Sequence, residues 1–128
     1  KPKPATKVID WMAAQAAADL YTTSITQAEI LHGLMLFPPS RRRSALEAAA
    51  TSMFEDDFGG RILGFGSEVA PTYARIASDR RRAGRPISHF DAQIAAIARV
   101  MGAAVATRNT ADFDGCGVIV VDPWESAR

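Results

Sequence analysis

The stretch SHFDAQIAAIARVMGAAVATRNTADFDG, Ser88 to Gly115, holds two kinds of order in succession. Ser88 to Met101 is alanine-rich and apolar at helical spacing, which predicts a helix able to pack closely against a neighbour. After Gly102 comes a short apolar run, AAVAT, which reads as a strand. It stops abruptly in a polar cluster holding Asp112 and Asp114. A helix feeding a short buried strand within a few residues is half of a parallel βαβ unit.

The pattern extends outward in both directions. Pro4 to Asp19 has an apolar stripe at Val8, Ile9, Met12, Ala16 and Leu20, so a first helix is expected there. LYTTSI (Leu20–Ile25) reads as a strand leading into TQAEILHGLMLF, a second amphipathic helix ended by Pro38 and Pro39. Ser40 to Phe58 predicts one long helix, closed by the pair Gly59–Gly60. RILGF is a strand, Ser67 to about Ala83 a helix, and VIVVD (Val118–Asp122) the last strand. AAVAT and VIVV lack polar alternation, as expected of strands covered on both faces. The fold class is therefore α/β: a three-layer α/β/α sandwich with a short parallel sheet, in one domain over residues 1–128. Four short strands make a thin sheet, and Lys1 stands directly before a helix, so a further leading strand upstream is expected.

The chain is 48% apolar with a net charge of +1, so its overall charge neither demands nor excludes a polyanionic partner. Its positive charge is clumped at Arg41–Arg43 and Arg80–Arg85, and such runs are ordinarily solvated helix faces. Cys116 stands alone, which excludes an internal disulfide and a cysteine zinc site. No apolar run approaches the roughly 20 residues of a membrane span, and no signal-peptide pattern is present. These features predict a soluble, cytoplasmic protein with no membrane partner.

Three acids share one local pattern, a small polar residue followed at the third position by a carboxylate. The pairs are Thr26 with Glu29, Ser88 with Asp91, and Asn109 with Asp112. Taken singly, each is explained by capping, because an acid in a helix's first turn gains about 0.3–1 kcal/mol from the helix dipole. Taken together, they sit where the chain leaves the carboxyl edge of a parallel sheet, and ligands of open α/β sheets bind outside that edge. Carboxylates gathered there repel one another unless a cation lies between them. Hard oxygen donors with no His or Cys cluster suit Mg²⁺ or Mn²⁺ rather than zinc. A carboxylate-held divalent ion that activates water and stabilises charge on phosphate is suited to cutting a phosphodiester. His32 and His89 read as ordinary histidines, and GFG at Gly64–Gly66 lacks the residues of a phosphate-binding loop.

The ordered motifs ITQAEILHG, RPISHFDAQIAAIA and VATRNTADFDG…VVDPW resemble the PIN-domain endoribonucleases, most of all the VapC/FitB branch, the toxins of bacterial toxin–antitoxin pairs. The likeness covers essentially the whole chain. It implies an α/β/α sandwich in which Glu29, Asp91 and Asp112 bind Mg²⁺ or Mn²⁺ and cleave RNA. In the family's terminal motif T-x-[DN]-x-x-D-F, Thr107, Asn109, Asp112 and Phe113 fill the pattern, and Asn109 stands where many relatives have Asp. Asp114 is a weaker candidate acid. Thr26, Thr107 and Asn109 would hold waters or orient the carboxylates. The family's leading strand ends in D-T-N, and KPKPATKVID does not supply that Asp. The resemblance also implies a cognate antitoxin that carries the contact with operator DNA, and a homodimer. Met35, Leu36 and Phe37 could serve that dimer, with core packing their more ordinary use.

Two other functions fit parts of the pattern. Asn109 and the absent first acid suit a catalytically impaired PIN-like module that acts by binding a partner. A receiver-like domain also gathers acids around Mg²⁺, but it needs a lysine on its last strand, and no Lys follows Lys7.

Overall fold

The computed structural model describes residues 10–125. The start of the helix expected from Pro4, including Val8 and Ile9, and the sequence ahead of it lie outside the described residues. Contacts divide the chain into two compact units, residues 17–64 on one side and residues 1–16 with 65–128 on the other.

Within residues 17–64, a 3₁₀ turn at Ala17–Asp19 precedes β1 (Thr22–Thr23), α1 (Ser24–Met35), α2 (Arg41–Ser52) and β2 (Ile62–Leu63). β1 and β2 pair in parallel, Thr22 opposite Ile62 and Thr23 opposite Leu63. The Arg61 guanidinium reinforces the pair by donating from Nε to the Leu20 carbonyl at 2.9 Å. Both helices start on a hydroxyl cap: Thr23 accepts from the Thr26 N–H, and Ser40 from the Arg43 N–H.

The long helix expected from Ser40 to Phe58 changes character after Ser52. Met53–Asp57 is a π turn, closed by the Phe58 N–H donating to the Met53 carbonyl at 2.9 Å. Glu55, Asp56 and Asp57 crowd negative charge at the carboxyl end of the helix, where the dipole opposes it. The wider turn keeps Phe54 buried and swings the chain into Gly59. A Cβ at Gly59 would lie 2.5 Å from the Glu55 carbonyl oxygen, so glycine is required there.

In the other unit, residues 10–13 are helical and the chain leaves the helix at Ala14, short of the expected Asp19. Gln15 explains the stop. Its N–H turns to the Met12 carbonyl, while its side-chain amide takes the Trp11 carbonyl that a continuing helix would have used. The rest comprises α3 (Ala70–Arg82), α4 (His89–Met101), β3 (Val105–Ala106), a 3₁₀ turn at Thr110–Phe113 and β4 (Val120–Val121). β3 and β4 are parallel, Val105 opposite Val120 and Ala106 opposite Val121.

α3 packs on α4. Ala92, Ala95, Ala96 and Ala98 are buried, and their small side chains allow close approach, while Ile76 and Ile97 fill the seam. Fully burying an isoleucine contributes about 1.5–3 kcal/mol. Gly102, at φ 68°, ends α4 in the left-handed conformation and turns the chain toward β3.

The class is α/β with short parallel strands, as the sequence implied. The strands differ in detail from the expectation: the described ladders are two two-stranded pairs rather than one four-stranded sheet. Nor are β3 and β4 covered on both faces. Val105 is buried but Ala106 is exposed, and Ile119, next to β4, is 74% exposed. With only two ladder rungs each, these strands bury one side chain or none.

Candidate active site

Asp91 and Asp112 share a cavity. It is an open cleft of about 270 Å³ lined by Arg80, Pro86, Ile87, Ser88, Asp91 and Asp112. Two segments build its walls. One is the Arg85–Ser88 connection into α4, where Pro86 keeps the chain extended and Ser88 begins the helix. The other is the 3₁₀ turn after β3.

Ser88 Oγ accepts a hydrogen bond from the Asp91 N–H at 3.1 Å, fixing Asp91 in the first turn of α4. This is half of the expected capping box. Among the described residues no return bond runs from the Ser88 N–H to the Asp91 carboxylate, so both carboxylate oxygens are left for the cavity. Asp112 departs further from the expectation. Asn109 precedes the 3₁₀ turn but makes no side-chain cap, and the Asp112 N–H bonds instead to the Asn109 carbonyl. Four residues of 3₁₀ turn carry little dipole, so capping does not explain an exposed carboxylate at Asp112.

Glu29 also lies elsewhere than the capping pattern implied. The cap of α1 is Thr23, not Thr26, which places Glu29 one turn deeper, and α1 has no acid in its first turn. Glu29 is exposed in the unit formed by residues 17–64, and the cavity belongs to the other unit. Thr107 and Asn109, in the cavity's own unit, do not line it. The Thr26 N–H and hydroxyl are engaged with Thr23, and Thr107 Oγ1 accepts from the Asn109 N–H at 3.1 Å. Asp114 forms an exposed ion pair with Arg85 at 3.2 Å. Among the described residues, no group of three or more His, Cys, Asp or Glu side chains is placed to hold a metal ion.

The donor set of the cavity nevertheless fits Mg²⁺ or Mn²⁺. It offers two carboxylates and a hydroxyl, all hard oxygens, in a cleft with room for water. Mg²⁺ keeps several waters and needs only one or two protein carboxylates. The Arg80 charge in the wall argues against a cation. Its Nε and Nη1 hydrogens, however, are committed to three backbone carbonyls, of Arg85, Asp112 and Asp114.

Arg80 is the residue whose place the charge pattern did not show. It is 7% exposed rather than part of a solvated basic face. Helical spacing did hold the signal, because Val69, Tyr73, Ile76 and Arg80 follow one stripe of α3. His89 is an ordinary satisfied histidine, its Nδ1 2.8 Å from the Tyr73 hydroxyl. Met35, Leu36 and Phe37 are exposed, Leu36 at 73%, so core packing is not their use in this chain.

The PIN-domain family model matches residues 2–115, through both units. The chain belongs to the PIN-domain family. It is 37% identical, over 97% of its length and 89% of the relative's, to the plasmid stability protein StbB of Pseudomonas syringae pv. tomato. It is 33% identical to the VapC ribonuclease Y4jK of Sinorhizobium fredii, over 99% of this chain and 91% of that one. Among solved structures, FitAB bound to an IR36 DNA fragment contains a chain matching with a TM-score of 0.90 at 33% identity. That match covers all of this chain and 90% of the other. Among the described residues, no helix is long and apolar enough to cross a membrane.

Proposed function

We propose that this PIN-domain chain is a Mg²⁺- or Mn²⁺-dependent endoribonuclease and the toxin of a toxin–antitoxin pair. The observation that carries this reading is the convergence of Asp91 and Asp112, which come from different elements, on one open cavity. Neither carboxylate is used up by an ion pair or a side-chain hydrogen bond among the described residues. A ribonuclease name on a relative that spans nearly the whole chain supports the substrate class. The FitAB complex with DNA supports an antitoxin partner that carries the operator contact.

Asp91 and Asp112 would hold the ion. When bound, it would supply Lewis acidity at the scissile phosphate. Ser88 holds the Asp91 backbone in register, and the 3₁₀ turn presents Asp112 from the opposite wall. Exposed Arg81, which makes no ion pair among the described residues, adds positive charge beside Arg80 in sequence, which favours approach of a polyanion. Glu29 is the further carboxylate whose share in the reaction a substitution must measure. Thr26, Thr107 and Asn109 belong to the proposal as supporting groups, and a homodimer as its assembly.

The test is cleavage of a labelled single-stranded RNA with Mg²⁺ or Mn²⁺, then with the ion removed by chelation. Loss of cleavage on chelation and recovery on adding the ion are expected. Cleavage that survives chelation contradicts the proposal. A second reading, a PIN-like module that only binds a partner, is favoured by the lack of a three-acid group among the described residues. It predicts no cleavage under any ion while antitoxin binding is retained.

A further inference from the structure

We infer that Arg80 is a positioning residue of this site, setting the distance between its two carboxylate-bearing walls; the inference rests on the nuclease reading of the cavity. Arg80 closes the last turn of α3 and is almost wholly buried. From there one guanidinium reaches both walls. Its Nε donates to the Arg85 carbonyl at 2.7 Å, on the segment that leads through Pro86 and Ser88 to Asp91. Its Nη1 donates to the Asp112 carbonyl at 2.8 Å and the Asp114 carbonyl at 3.0 Å, on the opposite wall, with Cys116 Sγ at 3.6 Å.

Burying a guanidinium is costly, and among the described residues no carboxylate pairs with Arg80 to offset it. Carbonyl dipoles from two loops do so instead. An apolar side chain would fill the end of the α3 stripe at lower cost, so what the arginine adds is geometry. The planar fork bonds in two fixed directions at once, which a lysine ammonium on a flexible stem does not reproduce. The loop it grips needs such a hold. Gly115 and Gly117 both adopt left-handed conformations, at φ 74°, and no helix or strand ladder stabilises residues 114–118. The Arg85–Asp114 ion pair is a second tie between the same two walls, exposed and therefore weak.

The test is a cycle of Arg80→Lys, Asp112→Asn and the double variant in the native protein. Each is read by Mn²⁺ titration calorimetry and by steady-state cleavage of a labelled single-stranded RNA. Because Arg80 acts through Asp112, Arg80→Lys alone weakens Mn²⁺ binding at least tenfold and lowers kcat with KM within about threefold. In the Asp112→Asn background the same change alters Mn²⁺ affinity by less than twofold. A merely structural arginine would lower the unfolding midpoint and leave Mn²⁺ affinity as it was, and that result overturns the assignment. So do losses that multiply in the double variant. Should Arg80→Lys not fold, Arg80→Met keeps the α3 stripe filled and carries the same expectations. If the unaltered protein takes up no Mn²⁺, or Asp91→Asn cleaves normally, the nuclease reading itself fails. If the unaltered protein takes up Mn²⁺, Asp91→Asn loses cleavage and Arg80→Lys still binds Mn²⁺ normally, only the role of Arg80 fails.

Discussion

Asp91→Asn removes one negative charge from the cavity and alters almost nothing else. The amide is nearly isosteric with the carboxylate, so no void is left in this half-buried position. The Ser88 cap is made to the backbone N–H, at 3.1 Å, and is independent of the side chain. What the fold loses is the attraction between a carboxylate and the amino end of α4, about 0.3–1 kcal/mol. For a chain of this size that lowers the melting temperature by no more than about 5 °C. The chemistry loses far more, because a metal's stabilisation of transition-state charge is worth several kcal/mol. A loss of about 3–4 kcal/mol corresponds to a rate fall of roughly two to three orders of magnitude. Circular dichroism melting and single-turnover RNA cleavage in Mg²⁺, on the same preparation, separate the two effects. Cleavage within twofold of the unaltered protein would refute the role of Asp91. A melting temperature more than about 10 °C lower would refute the reasoning differently, by making lost activity a consequence of lost structure.

Two further substitutions probe the packing and the remaining acid. Ile97→Ala removes three carbons from a side chain only 1% exposed in the α3–α4 seam. At about 0.8 kcal/mol per CH₂ plus a cavity term, urea denaturation should show a loss of about 3–4 kcal/mol. Ile119→Ala, at an exposed position, should lose less than about 0.5 kcal/mol, and equal losses would contradict the assigned core. Glu29→Gln removes neither a cap nor an ion pair seen among the described residues, so stability should change by less than about 0.5 kcal/mol. Cleavage should fall at least tenfold, and an unchanged rate would exclude Glu29 from the reaction.

The order and type of the main helices were legible because period and punctuation agreed. α4 is the clearest case: Ser88 starts it, alanines line it and Gly102 ends it, each by a local rule. Ambiguity entered where several residues could perform one task. TTSIT holds four hydroxyls in five positions, all able to cap α1, and sequence alone did not show that Thr23 would take the role from Thr26. Strand extent was overestimated for a related reason. An apolar run such as AAVAT shows which residues can enter a ladder, but pairing depends on a partner distant in sequence: Val105 and Ala106 form the rungs, and the Thr107 N–H adds a bond to the Val121 carbonyl. Of the site, the same local pattern singled out Glu29, Asp91 and Asp112; Asp91 and Asp112 line one cavity, and Glu29 belongs to the other unit. Arg80 was not legible, because a run of arginines reads as solvated unless the helical stripe is carried through it.

Titration calorimetry with Mn²⁺ tests the central claim most directly, comparing the native protein with the Asp91→Asn/Asp112→Asn double variant. The expected result is saturable binding to the native protein and at least tenfold weaker binding to the variant, with both proteins folded. Equal binding by the two, or none by the native protein, would show that the cavity between α4 and the 3₁₀ turn is not a metal site.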